Sequence, residues 1–97
     1  MTEKEAKKEL MRRATEIKPT VHVGKGGLDQ GVIDEVSAQL KNGRLIKIKV
    51  LDSSDGDAAE TAAAISEATD SVVVDVRGNV IVLTDKRTWS SLSQKKF

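Results

Sequence analysis

Two valine-rich runs, Val72-Val73-Val74-Asp75-Val76-Arg77 and Val80-Ile81-Val82-Leu83-Thr84, stand on either side of Gly78-Asn79. A two-residue connection of this kind between β-branched runs predicts a hairpin. Both runs are apolar on nearly both faces, whereas a pair with one face in water would alternate. Helices must therefore cover much of the sheet that holds them. The chain has 97 residues, enough for one domain and one modest core. Those two constraints already point to a layered α/β domain.

The rest of the chain supplies the layers. Thr2-Glu3-Lys4-Glu5 has the form of a capping box, and Ala6, Leu10, Ala14 and Ile17 follow on one helical stripe. This predicts a helix over residues 3–17, stopped by Pro19, with Lys7, Lys8, Arg12 and Arg13 off the apolar stripe. Thr20-Val21-His22-Val23 predicts a short strand with His22 opposite the valines. Gly24-Lys25-Gly26-Gly27 follows it. Asp29 then caps a second helix built on Val32, Ile33, Val36 and Leu40, with Gly43 placed for its left-handed C′ residue. Leu45-Ile46-Lys47-Ile48-Lys49-Val50 alternates, which turns Ile46, Ile48 and Val50 to a core and Leu45, Lys47 and Lys49 outward. An alanine-rich third helix, capped by Ser54 or Asp57, runs to about Thr69. The order α-β-α-β-α-β-β predicts a single domain with a four-stranded mixed sheet packed with helices. Residues 1–86 are read as the domain and residues 87–97 as a basic C-terminal tail or docked extension, with Trp89 its anchor.

Several chemistries are excluded or disfavoured by composition. With no cysteine there is no disulfide scaffold, thiol catalysis or thiolate metal site, and one histidine leaves little for a catalytic triad. Asp52, Asp55 and Asp57 lie around Gly56, but the EF-hand spacing fails: Ser54, Gly56 and Ala63 occupy the third, fifth and twelfth positions. No apolar run is long enough to span a bilayer, and the N-terminus is charged. The expectation is a cytoplasmic monomer with no metal, no cofactor, no small-molecule substrate, no membrane contact and no enzymatic activity.

Charge is more informative than its total. The formal net charge of +1 divides into +3 over residues 1–28, −5 over 29–70 and +3 over 71–97. Within the middle block, Lys41, Arg44, Lys47 and Lys49 precede a stretch from Asp52 to Asp70 that holds six acids and no base. Such asymmetry folds into a two-faced surface or disperses as a solvated mixture.

The Gly24–Gly27 loop lies between a strand and a helix N-terminus, where free amides favour an anion and Lys25 adds a cation. The same glycines also suit a plain tight connection. The loop is neither a phosphate-binding Walker loop nor a dinucleotide fingerprint, which would need glycine at Asp29. Lys47 and Lys49 are open to two readings, protection of a sheet edge or extension of a basic surface.

Taken in order, Lys18-Pro19, the run from Val21 to Val32, the strand Leu45–Val50 and Arg77-Gly78-Asn79-Val80-Ile81-Val82-Leu83 resemble the CRM domain, named for chloroplast RNA splicing and ribosome maturation. Its stand-alone prokaryotic members form the YhbY-like family, and the resemblance covers roughly residues 3–86. It implies a fold similar to the C-terminal domain of translation initiation factor three, and RNA as the partner. It also implies a GxxG loop at Gly24, Lys25, Gly26 and Gly27. The family's bacterial single-domain members are linked to the precursor large ribosomal subunit, so the resemblance implies a role in ribosome maturation. Lys18, Arg12, Arg13, Lys47 and Lys49 are the further expected RNA-binding residues, with Lys18 expected close to the loop because it directly precedes the strand that delivers it. The contrasting expectation is a protein-interaction module that docks a basic partner, such as a ribosomal protein, through the acidic face of residues 52–70. With only Trp89 and Phe97 aromatic, RNA recognition is expected to rest on shape and backbone.

Overall fold

The computed structural model describes residues 2–24, 29–51 and 57–93. Four helices and four strands alternate along the chain: α1 (Glu3–Ala14), β1 (Val21–Val23), α2 (Gln30–Gly43), β2 (Leu45–Val50), α3 (Asp57–Thr69), β3 (Ser71–Arg77), β4 (Val80–Asp85) and α4 (Lys86–Ser93). The sheet order is β1-β2-β4-β3. β1 runs parallel to β2, and β4 is antiparallel to both β2 and β3. The expected mixed four-stranded α/β domain is what forms.

Helix ends follow local chemistry. The Thr2 hydroxyl accepts from the Glu5 amide at 3.1 Å while the Glu5 carboxylate accepts from the Thr2 amide at 2.9 Å, a complete capping box. Asp29 caps α2 by accepting from the Val32 amide at 2.9 Å. Two details differ from expectation. α1 ends at Ala14, one turn earlier than the apolar stripe extends, although Ile17 still packs against the core. Gly43 is the last residue of α2, and the left-handed position falls on Arg44 at φ 66°. The reason is the neighbouring strand: the buried Thr84 hydroxyl donates to the Arg44 carbonyl at 2.6 Å, which fixes where the chain must turn.

The sheet separates two cores. On one face α2 and α3 cover Ile46, Ile48, Val50, Ile81 and Leu83 with Val36, Leu40, Ala58, Ala62 and Ile65. On the other, Leu10 and Ala14 of α1 lie with Leu45, Val74 and Val82, flanked by Met11, Trp89 and Leu92. Leu45, expected to face outward, is buried there because the opposite face also has a helical cover. A β-bulge between Val73 and Asp75 turns two successive residues, Val74 and Asp75, to the α1 side, with Val73 and Val76 on the α2/α3 side. Residues 86–93, assigned by sequence partly to a tail, form α4, which packs on α1 and brings Trp89 and Leu92 to the second core. Among the described residues no helix is long and apolar enough to cross a membrane.

Candidate nucleic-acid interface

β2 has a hydrogen-bonded neighbour on each side, so its lysines protect no edge. Lys49 is exposed and Lys47 half-buried, and both project from the face that carries α1. α1 lies over the Leu45 half of that face and leaves the other half open. There the register aligns His22 with Lys49, Lys49 with Val80, and Val80 with Arg77, a row that crosses all four strands. His22, Lys49 and Arg77 are exposed and Val80 is partly so.

The same end of the sheet collects its loops. β1 ends at Val23 and Gly24 follows it, exposed and with no heavy atom within 4 Å of where a Cβ would stand. The Leu51 amide donates to the Val23 carbonyl at 2.7 Å, and the Val50 amide to the Asn79 carbonyl at 2.8 Å. The start of the glycine loop, the end of β2 and the hairpin turn are thereby tied together. Lys25, Gly26 and Gly27, the rest of the expected loop, lie outside the described residues. Lys18 differs from expectation. It precedes β1 whereas Gly24 follows it, and the Thr20 amide donates to the Lys47 carbonyl, so the strand separates Lys18 from the loop. From Thr20 to Gly24 alone the extended chain covers ~13 Å.

Arg12 and Arg13 share one carboxylate. Arg12 Nη2 lies 2.7 Å and Arg13 Nε 2.9 Å from Glu9 Oε2. Hydrogen bonds from Arg12 first, then Arg13, hold the Glu9 carboxyl below the usual carboxylate range. The two arginines stay exposed and water screens such surface pairs, so a phosphate can compete for them. Arg12 lines a groove of about 570 Å³ with Lys8, Arg77, Met11 and Thr15 and the carboxylates Glu5 and Glu9, and Arg77 lines a neighbouring slot with Lys47. Arg12, Arg77 and Lys47 therefore follow one another along one surface; Arg13 lines neither depression.

Arg77 is the residue that sequence reasoning did not single out. Its Nε donates to Asp75 Oδ2 at 2.9 Å, Asp75 Oδ1 accepts from the Val76 amide at 2.9 Å, and Lys7 Nζ lies 3.7 Å from that same oxygen. The Asp75 carboxyl is held low, chiefly by the Arg77 hydrogen bond. The two-residue spacing of Asp75 and Arg77 along a strand was the available signal, since it places both on one face.

The acids of α3 lie elsewhere. Glu60 and Glu67 are exposed on α3, which covers the other face of the sheet, and residues 52–56 lie outside the described residues. The α1 face carries acids of its own, Glu9 and Asp75, each paired with arginine.

Comparison with known proteins agrees with this architecture. Residues 1–83 match the CRS1/YhbY (CRM) domain family. The chain is 34% identical over 77 residues to the probable RNA-binding protein YqeI of Bacillus subtilis, covering 79% of this chain and 80% of that protein. It is 40% identical over 93 residues to the probable RNA-binding protein MJ0652 of Methanocaldococcus jannaschii, covering 93% of this chain and 69% of that protein. The solution structure of SAV1595 from Staphylococcus aureus, a candidate RNA-binding protein, superposes with a TM-score of 0.77 at 36% identity, covering 89% of this chain and 90% of the other. With the family match over residues 1–83 and the fold in agreement, the chain belongs to the CRS1/YhbY (CRM) domain family.

Proposed function

We propose that this protein binds structured RNA through the open half of the α1 face of its sheet, together with the adjoining Gly24–Gly27 loop. The observation that carries the proposal is the placement of Lys47 and Lys49 on an interior strand, exposed or half-exposed, in register with Val82 and Val80 and near Arg77. Lysines on an interior strand have no edge to defend, and a flat cationic row beside a glycine loop suits a phosphate backbone. The names of the relatives support RNA as the partner. The resemblance to YhbY-like proteins supports the finer reading, that the RNA belongs to the precursor of the large ribosomal subunit. The protein then acts as a cytoplasmic binding module, as a monomer and without catalysis.

In this reading the loop amides and Lys25 contact the backbone, Lys47, Lys49 and Arg77 neutralise phosphates on the sheet, and Arg12 extends the track along α1. Arg13 and Lys18 contribute at its margins. Binding to a fragment of large-subunit RNA, measured against salt in wild type and in a Lys25→Asp/Gly26→Asp double variant, tests it. The expected result is a linear log-log salt dependence, with marked loss of affinity in the variant and an unchanged circular dichroism spectrum. Undiminished affinity in the double variant and in Lys47→Glu/Lys49→Glu together refutes the proposal.

A further inference from the structure

α1 and the open half of the sheet do not meet flush. Between them lies a slot of about 270 Å³, lined by Met11, Ala14 and Thr15 of α1, Val80 and Val82 of β4, Lys47 of β2 and Arg77 at the end of β3. Its walls are methyl and methylene groups with two cations at the rim. The volume falls just under the ~300–1,000 Å³ typical of small-molecule pockets, which suits a single ring system.

The rim is preorganised. Asp75 is anchored by the Val76 amide, and Arg77 is anchored by Asp75, so the guanidinium is held by a carboxylate that is itself held. The bulge between Val73 and Asp75 is what allows Val74 to enter the α1-side core while Asp75, in register with Val82, remains beside α1 near Lys7. Bulges commonly re-aim side chains next to functional sites. Among the described residues the guanidinium has no other hydrogen-bond partner, which leaves its Nη donors available.

A ligand for this slot needs a flat apolar body with negative charge beside it. A nucleotide in RNA has that form, and bases that leave the stack commonly settle on arginine planes where aromatic rings are lacking. Trp89 is occupied at the α1-side core. We infer that the slot receives one unstacked nucleobase, from a bulge or loop, with Lys47 and Arg77 holding the phosphates on either side of it. The inference rests on the RNA-binding reading and narrows it to RNA with an unpaired nucleotide. A base inside a continuous duplex cannot reach the slot without being extruded.

Two hairpin RNAs separate this from simple phosphate binding, one fully paired and one with a single bulged 2-aminopurine. Wild-type protein is expected to bind the bulged hairpin roughly tenfold more tightly, as base stacking would provide, and to change the probe's fluorescence. Val80→Gln lengthens a neutral side chain into the slot from β4, and Thr15→Gln does so from the α1 side. Each is expected to abolish the preference for the bulge while leaving affinity for the paired hairpin within about twofold. Either variant suffices if the other fails to fold. Equal affinity of wild type for both RNAs, or a preference that survives both variants, overturns the inference while leaving RNA binding intact. Failure of wild type to bind either hairpin overturns the RNA-binding reading itself.

Discussion

Lys47 and Lys49 illustrate how a residue's meaning depends on its neighbours. Had β2 been an edge strand, its lysines would need no ligand to explain them. On an interior strand they are two cations presented side by side on one face, in register with Val82 and Val80. Each phosphate that a variant no longer neutralises should flatten the log-log salt slope by about 0.7–0.9. Lys47→Glu and Lys49→Glu are therefore expected to weaken RNA binding at low salt, with slopes reduced by that amount per residue and thermal midpoints little changed. A titration at several salt concentrations measures it.

Asp75 gives a second prediction at the same scale. Its folded-state pKa is depressed, so between that value and the ordinary carboxylate range the folded chain binds fewer protons than the unfolded one. The stability it contributes is present above the ordinary range and is lost as pH falls through the folded value. Arg77→Ala should return the Asp75 titration toward ordinary values and remove its share of the acid-induced loss. Carboxyl NMR titration of wild type and variant checks this.

At the scale of elements, junctions are the sensitive points. Arg44 holds a left-handed backbone at φ 66° although it is not glycine. Arg44→Gly should relieve a strain of ~1–2 kcal/mol, less the greater entropy of glycine in the unfolded chain, for a net gain of about 0.5–1 kcal/mol in urea denaturation. The Thr84 bond survives because it uses the main-chain carbonyl. α4 makes the opposite case. Trp89 and Leu92 supply the outer part of the α1-side core although the helix lies beyond the family match, which ends at residue 83. Trp89→Ala should cost about 2 kcal/mol, below the ~3–5 of a fully buried tryptophan because Trp89 is only half-buried. Urea denaturation again measures it.

At the scale of the molecule, the sheet stands between the acids of α3 and the lysines of the α1 face. Glu60 and Glu67 on α3 and Lys49 on the α1 face lie on opposite sides of it, with a core between. Salt screens exposed charges beyond a Debye length of ~8 Å at physiological ionic strength. Glu60→Lys/Glu67→Lys is expected to change RNA affinity by less than about threefold, by the same salt titration. A large gain would mean that the acidic helix limits RNA approach.

Much of the fold was legible because the signals were local. The capping box at Thr2, the Asp29 cap, the Gly78-Asn79 hairpin and the periodicity of three helices each depend on residues a few positions apart. α4 was not legible, since its serines and basic residues show no apolar period beyond Trp89 and Leu92, and its stability comes from docking on α1. The candidate site was legible in part: the sequence nominated Lys47, Lys49 and the glycine loop. It nominated Lys18 beside them because chain proximity looked like spatial proximity, and a strand intervened. Arg77 joined the site only through a bulge and a register.

Sequence alone determined the identity and order of most elements, the apolar faces and the chemistry available at each cation, because these follow from spacing along the chain. Tertiary structure decided strand order, and with it that β2 lies inside the sheet, that Leu45 is buried while Lys49 is open, and that Arg77 and Lys47 line one slot beside α1. Pairing between strands far apart in sequence is a competition among registers for burial on two faces at once, and a local pattern does not contain its outcome.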